Sequence, residues 1–200
     1  MIVQAEGNVS CLIALGANLP SPAGVPRVTL ARALDGMRVR GWRVVAISRF
    51  YRTAPVPPTG QPDFVNAVAR VEVPAALRPE DVLDALHEIE RKFGRTRRVT
   101  WEARTLDLDL LDAGSRVQPA DWPGDTTVKP GAPALSRPLA LPHPRLHERA
   151  FVLYPLRDAA PGWRHPVTGA SPDEMIAALG PHEPPEVLDS PGAGTLDATS

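Results

Sequence analysis

The stretch Phe64-Val-Asn-Ala-Val-Ala-Arg-Val-Glu-Val73 alternates between two kinds of residue. Every second position is small and apolar: Val65, Ala67, Ala69, Val71 and Val73. Successive side chains of a β-strand point to opposite faces of a sheet, so this set faces a core. The other face carries Phe64, Asn66, Val68, Arg70 and Glu72. We therefore predict a strand with two chemically different faces.

A helix and a second alternating strand follow this segment. Pro79 suits the first turn of a helix, and acidic residues behind it favour the positive end of the helix dipole. Gly94 ends the helix. Its apolar stripe consists of Val82, Leu83, Leu86, Ile89 and Phe93. After a basic loop, Thr105-Leu-Asp-Leu-Asp-Leu-Leu111 alternates again and predicts a strand.

Three elements are predicted before the first strand. Cys11 to Leu15 is a short apolar run that predicts a buried strand, and Pro26 to Met37 has the apolar spacing of a helix. Trp42 to Tyr51 is rich in β-branched and aromatic residues, which predicts another strand. The order βαββαβ predicts an α+β fold, in which helices cover one face of an antiparallel sheet.

The C-terminal third is less regular. Residues 113–138 form an excursion rich in proline and glycine, and Phe151 to Leu156 predicts a final strand. Pro172 to Leu179 predicts a short helix capped by Ser171. We expect a catalytic domain over 1–170, followed in 171–200 by this helix and a flexible tail.

Composition restricts the classes of function. The chain has 200 residues, and 22 Lys and Arg against 23 Asp and Glu give a net charge of −1. No overall basic field attracts nucleic acid or an anionic membrane, so we expect neither as a partner. Cys11 is the one cysteine, which excludes an internal disulfide and fits a small core residue. The sequence shows no signal sequence and no membrane span, so we expect a cytoplasmic protein. We also expect it to be a monomer.

Two acids on the strand at 105–111 are the strongest chemical feature. Asp107 and Asp109 are two residues apart and therefore share one face. Neighbouring carboxylates repel and raise each other's pKa, and a pair of Mg²⁺ ions would relieve that repulsion. The alternative is a strand face that simply meets water.

Arginines precede these acids within one short stretch: Arg95, Arg97, Arg98 and Arg104. The guanidinium group matches phosphate oxygens with two parallel donors. Acids for metal beside arginines for phosphate predict a phosphoryl-transfer site. The alternative is a surface of ion pairs that contribute little.

Other candidates are weaker alone. Trp101, in the polar loop, could close over a flat ligand as part of a lid or could anchor the loop in the core. Phe64 and Asn66 share a strand face and could offer a stacking ring and an amide. His143, between two prolines, is more typical of a structural or exposed residue.

Seven segments, in order, carry a resemblance to a known family. They are Ala14-Leu-Gly-Ala-Asn-Leu19, Phe50-Tyr-Arg-Thr-Ala-Pro55, Gln61-Pro-Asp-Phe-Val-Asn66, Ile89-Glu90 with Gly94-Arg95, Trp101 with Arg104-Thr-Leu-Asp-Leu-Asp109, Leu141-Pro-His-Pro-Arg145, and Arg149-Ala-Phe151. On these segments the chain resembles the 6-hydroxymethyl-7,8-dihydropterin pyrophosphokinases of folate biosynthesis. The resemblance implies a ferredoxin-like fold and transfer of pyrophosphate from ATP to the pterin, with release of AMP.

The resemblance also implies roles for individual residues. For the pterin it implies stacking by Phe64 and Phe151, edge contacts from Thr53, Pro55, Val56 and Asn66, and closure by Trp101. For catalysis it implies that Asp107 and Asp109 hold two Mg²⁺ ions and that Arg95 and Arg104 contact the moving group. For ATP binding it implies Glu90, Arg97, His143, Arg145 and Arg149.

The chain also departs from the family pattern. Trp101-Glu-Ala-Arg104 stands where the family usually has Trp-Gly-Pro-Arg, and the stretch from Arg95 to Arg104 is one residue shorter than in the family pattern. Both changes affect the predicted lid. A ferredoxin-like module that binds RNA or a nucleotide without catalysis is the alternative function, but it would need aromatic residues on the central strands, and Cys11 to Leu15 has none. An inactive homologue is the third possibility.

Overall fold

A computed structural model describes residues 7–55, 60–95, 104–123 and 139–188. Six strands and four α-helices are found there. The strands are β1 (Asn8–Ala17), β2 (Arg43–Ile47), β3 (Phe50–Thr53), β4 (Phe64–Pro74), β5 (Asp107–Ala113) and β6 (Glu186–Leu188). The helices are α1 (Pro26–Arg38), α2 (Pro79–Lys92), α3 (Ala150–Ala159) and α4 (Pro172–Ala178).

The strands form one antiparallel sheet in the order β5-β1-β4-β3-β6, and β2 also pairs with β4. The prediction for β4 is confirmed, because its five small apolar side chains are buried in the main core. Leu106, Leu108 and Leu110 enter the same core, as predicted for the strand that carries the acids. Cys11 lies there too, and burial, followed by the charge of Asp112, raises its pKa to about 12.

Helices cover both faces of this sheet, which corrects the expectation of one covered face. The main core lies between the sheet and α1 with α2, through residues such as Leu30, Leu86 and Ile89. A second core lies on the opposite face, where α3 packs on Leu12, Val68 and Leu111 and α4 packs on α3. The α+β class is confirmed. The first helix pair accounts for the βαββαβ unit, and α3 and α4 are additions to it.

The predicted strand at Phe151 to Leu156 is wrong, because this segment is helical. Val152, Leu153, Leu156 and Ala159 are buried at helical spacing on the sheet. A six-residue apolar run fits a buried strand or a buried helix equally well, and the periodicity appears only when Ala159 is included. This helix brings its N-terminal end to the acids, so Phe151 and Val152 lie beside Asp107 and Asp109.

The predicted strand at Trp42 to Tyr51 is divided into β2 and β3. Ser48 lies between them and exchanges two hydrogen bonds with the backbone of Val68: its N–H donates to the Val68 oxygen and its hydroxyl accepts from the Val68 N–H, both at 3.0 Å. The chain thereby stays beside β4 across the break, and β2 and β3 both run antiparallel to β4.

The C-terminal segment is partly ordered. Ser171 caps α4 as predicted, since its hydroxyl accepts a hydrogen bond from the Glu174 N–H at 3.2 Å. The expectation of irregular chain after Gly180 is wrong for β6, which pairs with the edge strand β3 and forms the ion pair Arg52–Glu186 at 3.0 Å. The division at residue 170 stays a prediction. None of the helices in the described ranges is long and apolar enough to cross a membrane.

Candidate active site

The face of the sheet that carries α3 holds the two predicted metal ligands. The register of β5, β1 and β4 produces two rows across this face. Asp107 is opposite Gly16, which is opposite Asn66. One row further, Asp109 is opposite Ala14, which is opposite Val68.

A pocket lies over these rows. The N-terminal half of α3 closes it with Phe151 and Val152, and the strands form its floor. Its lining is Ala14, Leu15, Gly16, Asn66, Ala67, Asp107, Asp109, Phe151 and Val152. A Cβ atom at Gly16 would lie 3.1 Å from Asn66 Oδ1, so the glycine leaves room for that amide. The structure therefore brings Asn66, both acids and Phe151 together.

Two predicted arginines flank Asp107. Arg95 and Arg104 each form an ion pair with its carboxylate, and Arg95 also pairs with Glu90. Arg95 is the more buried of the two, with 12% of its side chain exposed against 32% for Arg104. Two positive groups thus offset the charge of one predicted metal ligand.

Asn18 holds the backbone of Arg104, a role that the sequence did not suggest. Its Oδ1 accepts the Arg104 N–H at 2.7 Å, and the N–H groups of Asn18 and Leu19 donate to the Arg104 oxygen at 3.0 and 3.1 Å. Asn18 Nδ2 donates to the Pro62 oxygen at 3.2 Å, which ties the loop before β4 to the same point. The quoted segment Ala14 to Leu19 contained this residue, but nothing local indicated a partner 86 positions away.

Glu90 is buried beneath the acids, with 1% of its surface exposed. Its Oε1 accepts the Leu108 N–H at 2.7 Å and pairs with Arg95. In this position the carboxylate supports β5 and Arg95. The ATP contact that the resemblance implies for Glu90 stays a prediction.

Asp109 lies in a strongly positive environment. Burial raises its pKa, but four basic side chains outweigh that effect and leave the pKa below its ordinary value. In decreasing order of effect they are His143, Arg149, Arg104 and Arg95. The expected mutual repulsion of the acids is therefore not the dominant influence on Asp109, because the surrounding cations compensate it.

This donor set fits Mg²⁺. Among the described residues there is no group of three or more Asp, Glu, His or Cys that could enclose a metal. Two carboxylates on one face leave the rest of a coordination shell to phosphate oxygens and water, which is how Mg²⁺ is usually held in phosphoryl-transfer sites.

His143 and Arg149 border the acids from the segment before α3. The His143 N–H donates to the Leu111 oxygen at 2.8 Å, and its Nδ1 accepts the Arg145 N–H at 3.2 Å. The pKa of His143 is lowered, mainly by burial, while Asp109 opposes this effect. Arg149 lies over the Phe151 ring at 5.6 Å. Arg145 is exposed and pairs with Glu148 at 3.1 Å.

Thr53, Pro55 and Phe64 are the remaining predicted pterin residues that the structure describes. Asn66 Nδ2 donates to Thr53 Oγ1 at 2.7 Å, so these two polar groups act together. Phe64 is opposite Thr53 at the start of β4 but does not line the pocket, and neither does Pro55. Val56, Arg97 and Trp101 lie outside the described residues, and so does the predicted lid.

Comparison with known proteins gives a consistent result. The family model described as 7,8-dihydro-6-hydroxymethylpterin-pyrophosphokinase matches residues 12–161. A 2-amino-4-hydroxy-6-hydroxymethyldihydropteridine pyrophosphokinase from Pseudomonas aeruginosa is 41% identical over 182 residues, which cover 90% of this chain and 96% of that protein. The protein of the same name from Haemophilus influenzae is 35% identical over 152 residues, 76% of this chain and 82% of that one.

Solved structures show the same fold. A Plasmodium falciparum HPPK-DHPS triple mutant with STZ-DHP aligns with a TM-score of 0.61 at 12% identity, over 87% of this chain. The A437G variant with pteroate aligns with the same score over 89%. This chain spans 44% of each of those chains, and the aligned fold is ferredoxin-like. By the extent of the family match, the chain belongs to the 7,8-dihydro-6-hydroxymethylpterin pyrophosphokinase family.

Proposed function

We infer the reaction from family membership, and we propose which residues of the described site carry it. The chain is an ATP-dependent pyrophosphokinase of folate biosynthesis. It transfers pyrophosphate from ATP to the hydroxymethyl group of 6-hydroxymethyl-7,8-dihydropterin and releases AMP. The attacking group is the hydroxymethyl oxygen, so the site must hold that oxygen in line with the β-phosphorus.

The pterin binds in the pocket between the sheet and α3. The Asn66 amide nitrogen is engaged by Thr53, which leaves its carbonyl oxygen to accept an N–H from the heterocycle. Phe151 lines the pocket and offers an aromatic face, and Arg149 above it fixes the orientation of the ring. Phe64, Pro55, Val56 and Trp101 complete the pterin site in this proposal.

Asp107 and Asp109 hold two Mg²⁺ ions. When bound, these ions would neutralise the phosphate oxygens and orient the chain of phosphates. Arg95 and Arg104 now lie on Asp107, and both can turn from that carboxylate to the transferring group, where developing charge strengthens their hydrogen bonds. Asn18 fixes the backbone from which Arg104 reaches.

The nucleotide lies on the side of His143, Arg145 and Arg149. His143 and Arg149 are near enough to Asp109 to change its pKa, so basic side chains border the acids where phosphates would enter. Arg97 adds a phosphate contact in this proposal. Glu90 acts beneath the site by holding Arg95.

One observation carries this assignment. Arg95 and Arg104 both pair with Asp107, which shares a strand face with Asp109, and both acids line the pocket that Phe151 closes. The test is AMP formation from ATP and Mg²⁺, with and without 6-hydroxymethyl-7,8-dihydropterin. We expect AMP only with the pterin, together with a stoichiometric pterin pyrophosphate. AMP formed at the same rate without pterin would contradict the assignment.

The RNA-binding alternative is not favoured, given the family match and a central strand β1 without aromatic residues. Filter binding of single-stranded RNA provides the check. A cytoplasmic monomer stays our expectation, and light scattering on the eluting protein would test its oligomeric state.

A further inference from the structure

A second pocket lies on the same face of the sheet, beyond the two catalytic rows. In its row, Leu12 of β1 is opposite Asp112 of β5 on one side and Arg70 of β4 on the other. Its volume is about 410 Å³, which is within the range of small-molecule sites. The lining is Ser10, Leu12, Arg70, Asp112, Gly114, Ser115 and the segment 159–163. It shares no residue with the catalytic pocket.

A β-bulge directs Asp112 into this pocket. The register of β5 against β1 shifts between Leu12 and Ile13, so that Leu110 is opposite Ile13 and Asp112 is opposite Leu12. Leu111 is the additional residue. A bulge of this kind re-aims the side chain that follows it. Strict alternation would have turned Asp112 toward the main core.

Asp112 has an incomplete set of partners. It is 2% exposed, and one of its oxygens, Oδ2, accepts the Ser115 N–H at 3.1 Å. In the part of the chain that the structure describes, Oδ1 has no hydrogen bond of ordinary geometry, and neither has the buried Nε1 of Trp163, although this indole lies near enough to the carboxylate to oppose the rise of its pKa. A buried carboxylate oxygen without a partner is costly, because its lost hydration is not replaced.

Arg70 lies at the other end of the row. It is exposed, and no acidic side chain within the described ranges pairs with it. Adjacent strands are separated by roughly 4.8 Å, so the Cα atoms of Asp112 and Arg70 are about 10 Å apart. Leu12 lies between them on the floor, and Ala159 and Ala160 form an apolar wall.

We propose that this pocket is a second binding site, for a small amphoteric molecule with an amino group, an apolar body and an anionic group. The amino group donates to Asp112 Oδ1. The apolar body lies on Leu12 and against Ala159 and Ala160. The anionic group pairs with Arg70.

The probe is trans-4-(aminomethyl)cyclohexanecarboxylate, which has the three parts in this order. Cyclohexylmethylamine lacks the anionic group and cyclohexanecarboxylate lacks the amino group. Binding to the full chain is measured by calorimetry and by the indole N–H resonance of Trp163, identified with Trp163→Phe. The titration is repeated with Mg²⁺ and a non-hydrolysable ATP analogue, so that binding at the catalytic pocket is recognised.

We expect the complete probe to bind saturably and to shift the Trp163 resonance with the nucleotide site filled. Asp112→Asn should weaken both amines by about tenfold, as expected for the loss of one charge-assisted hydrogen bond. Arg70→Gln should weaken the complete probe and the carboxylate but leave cyclohexylmethylamine unchanged. Arg70 is exposed, so this variant tests the proposal even if Asp112→Asn lowers stability.

Three results would overturn the proposal. They are the absence of saturable binding, equal binding by the two variants and the unchanged chain, and loss of the Trp163 shift when the nucleotide site is filled. An ordered water that bridges Asp112 and Trp163 and is not displaced by the probe would produce the first result.

Discussion

The two ends of the acidic face of β5 differ in how their carboxylates are compensated. At the catalytic end, four basic side chains hold the pKa of Asp109 below its ordinary value although the group is buried. At the far end, burial raises the pKa of Asp112, and the Ser115 N–H and the Trp163 indole only partly oppose this effect. On the same strand, the surroundings of Asp109 therefore favour its ionised form, and those of Asp112 favour its protonated form.

The difference between Asp109 and Asp112 lies in how many elements of the fold contribute groups that compensate each carboxylate. The basic side chains around Asp109 come from the loop after α2, the segment before β5 and the segment before α3. Asp112 receives a backbone N–H from its own turn. Compensation at the catalytic end thus depends on several elements meeting, and variants at the two ends should respond differently.

The largest effect is expected for Asp109→Asn. This change keeps the shape of the side chain but removes a hard anionic ligand, and we expect turnover to fall by at least about 10³. AMP release at saturating Mg²⁺ measures it. Asp84→Asn, on the exposed side of α2, removes one charge elsewhere and is the matched control. Undiminished turnover would refute the metal assignment.

Asp109→Asn also tests the compensation itself. Because the folded pKa is lowered, ionised Asp109 stabilises the fold above the pKa of the unfolded chain. We therefore expect a lower melting temperature at neutral pH without metal or nucleotide, and a difference that vanishes as pH falls through the folded pKa. Repulsion between the acids alone would instead predict a gain in stability.

The two arginines on Asp107 should separate catalysis from folding. Arg104→Ala should reduce turnover by about 10²–10³ and change the melting temperature little, since this side chain is partly exposed. Arg95→Ala should reduce turnover similarly but also remove a cation that pairs with the buried Glu90, at a cost of about 3 kcal/mol. Thermal melts beside rate measurements distinguish them, and Arg104→Lys shows whether charge alone suffices. Equal melting of both alanine variants would contradict the role given to Glu90.

Removal of β6 should affect the catalytic end more than the far end. A chain ending at Gly180 loses the strand that pairs with β3, and Thr53 on β3 holds Asn66. We expect a melting temperature lower by roughly 2–5 °C and a higher pterin KM, with kcat nearly unchanged. A chain ending at Leu188 keeps β6 and is the control. If both chains melt alike and share one KM, β6 does not support the pterin side.

Local periodicity predicted the elements that have one buried face. The alternation of β4 and of Leu106, Leu108 and Leu110 had to match the sheet, because a shift by one residue would expose every apolar side chain. Phe151 to Leu156 was predicted wrongly, since six apolar residues fit two periods.

The site was predictable where residues close in sequence carry the chemistry, as Asp107 and Asp109 do. Asn18 escaped prediction because it acts on Arg104, which is 86 residues away. Asp112 escaped it because a bulge, which the sequence pattern does not reveal, decides which face receives the side chain. In both cases the information lies in the pairing of distant segments.

The smallest effect is expected for Asp112→Asn on stability. The folded pKa of Asp112 is raised, so the carboxyl contributes its full stability only below the unfolded pKa, and that contribution is lost as pH rises through the folded pKa. Asparagine keeps an oxygen for the Ser115 N–H but carries no charge to bury. We expect the variant to melt higher than the unchanged chain by about 2 °C at neutral pH, and equally near pH 3. Thermal melts across pH measure this, with the exposed Asp121→Asn as control.

Addition of the amphoteric probe should reverse the order of the two melting temperatures at neutral pH, since a bound amino group stabilises only the ionised carboxylate of Asp112. A variant that melts lower at every pH would mean that Asp112 is already compensated, and the contrast between the two ends of β5 would then be lost.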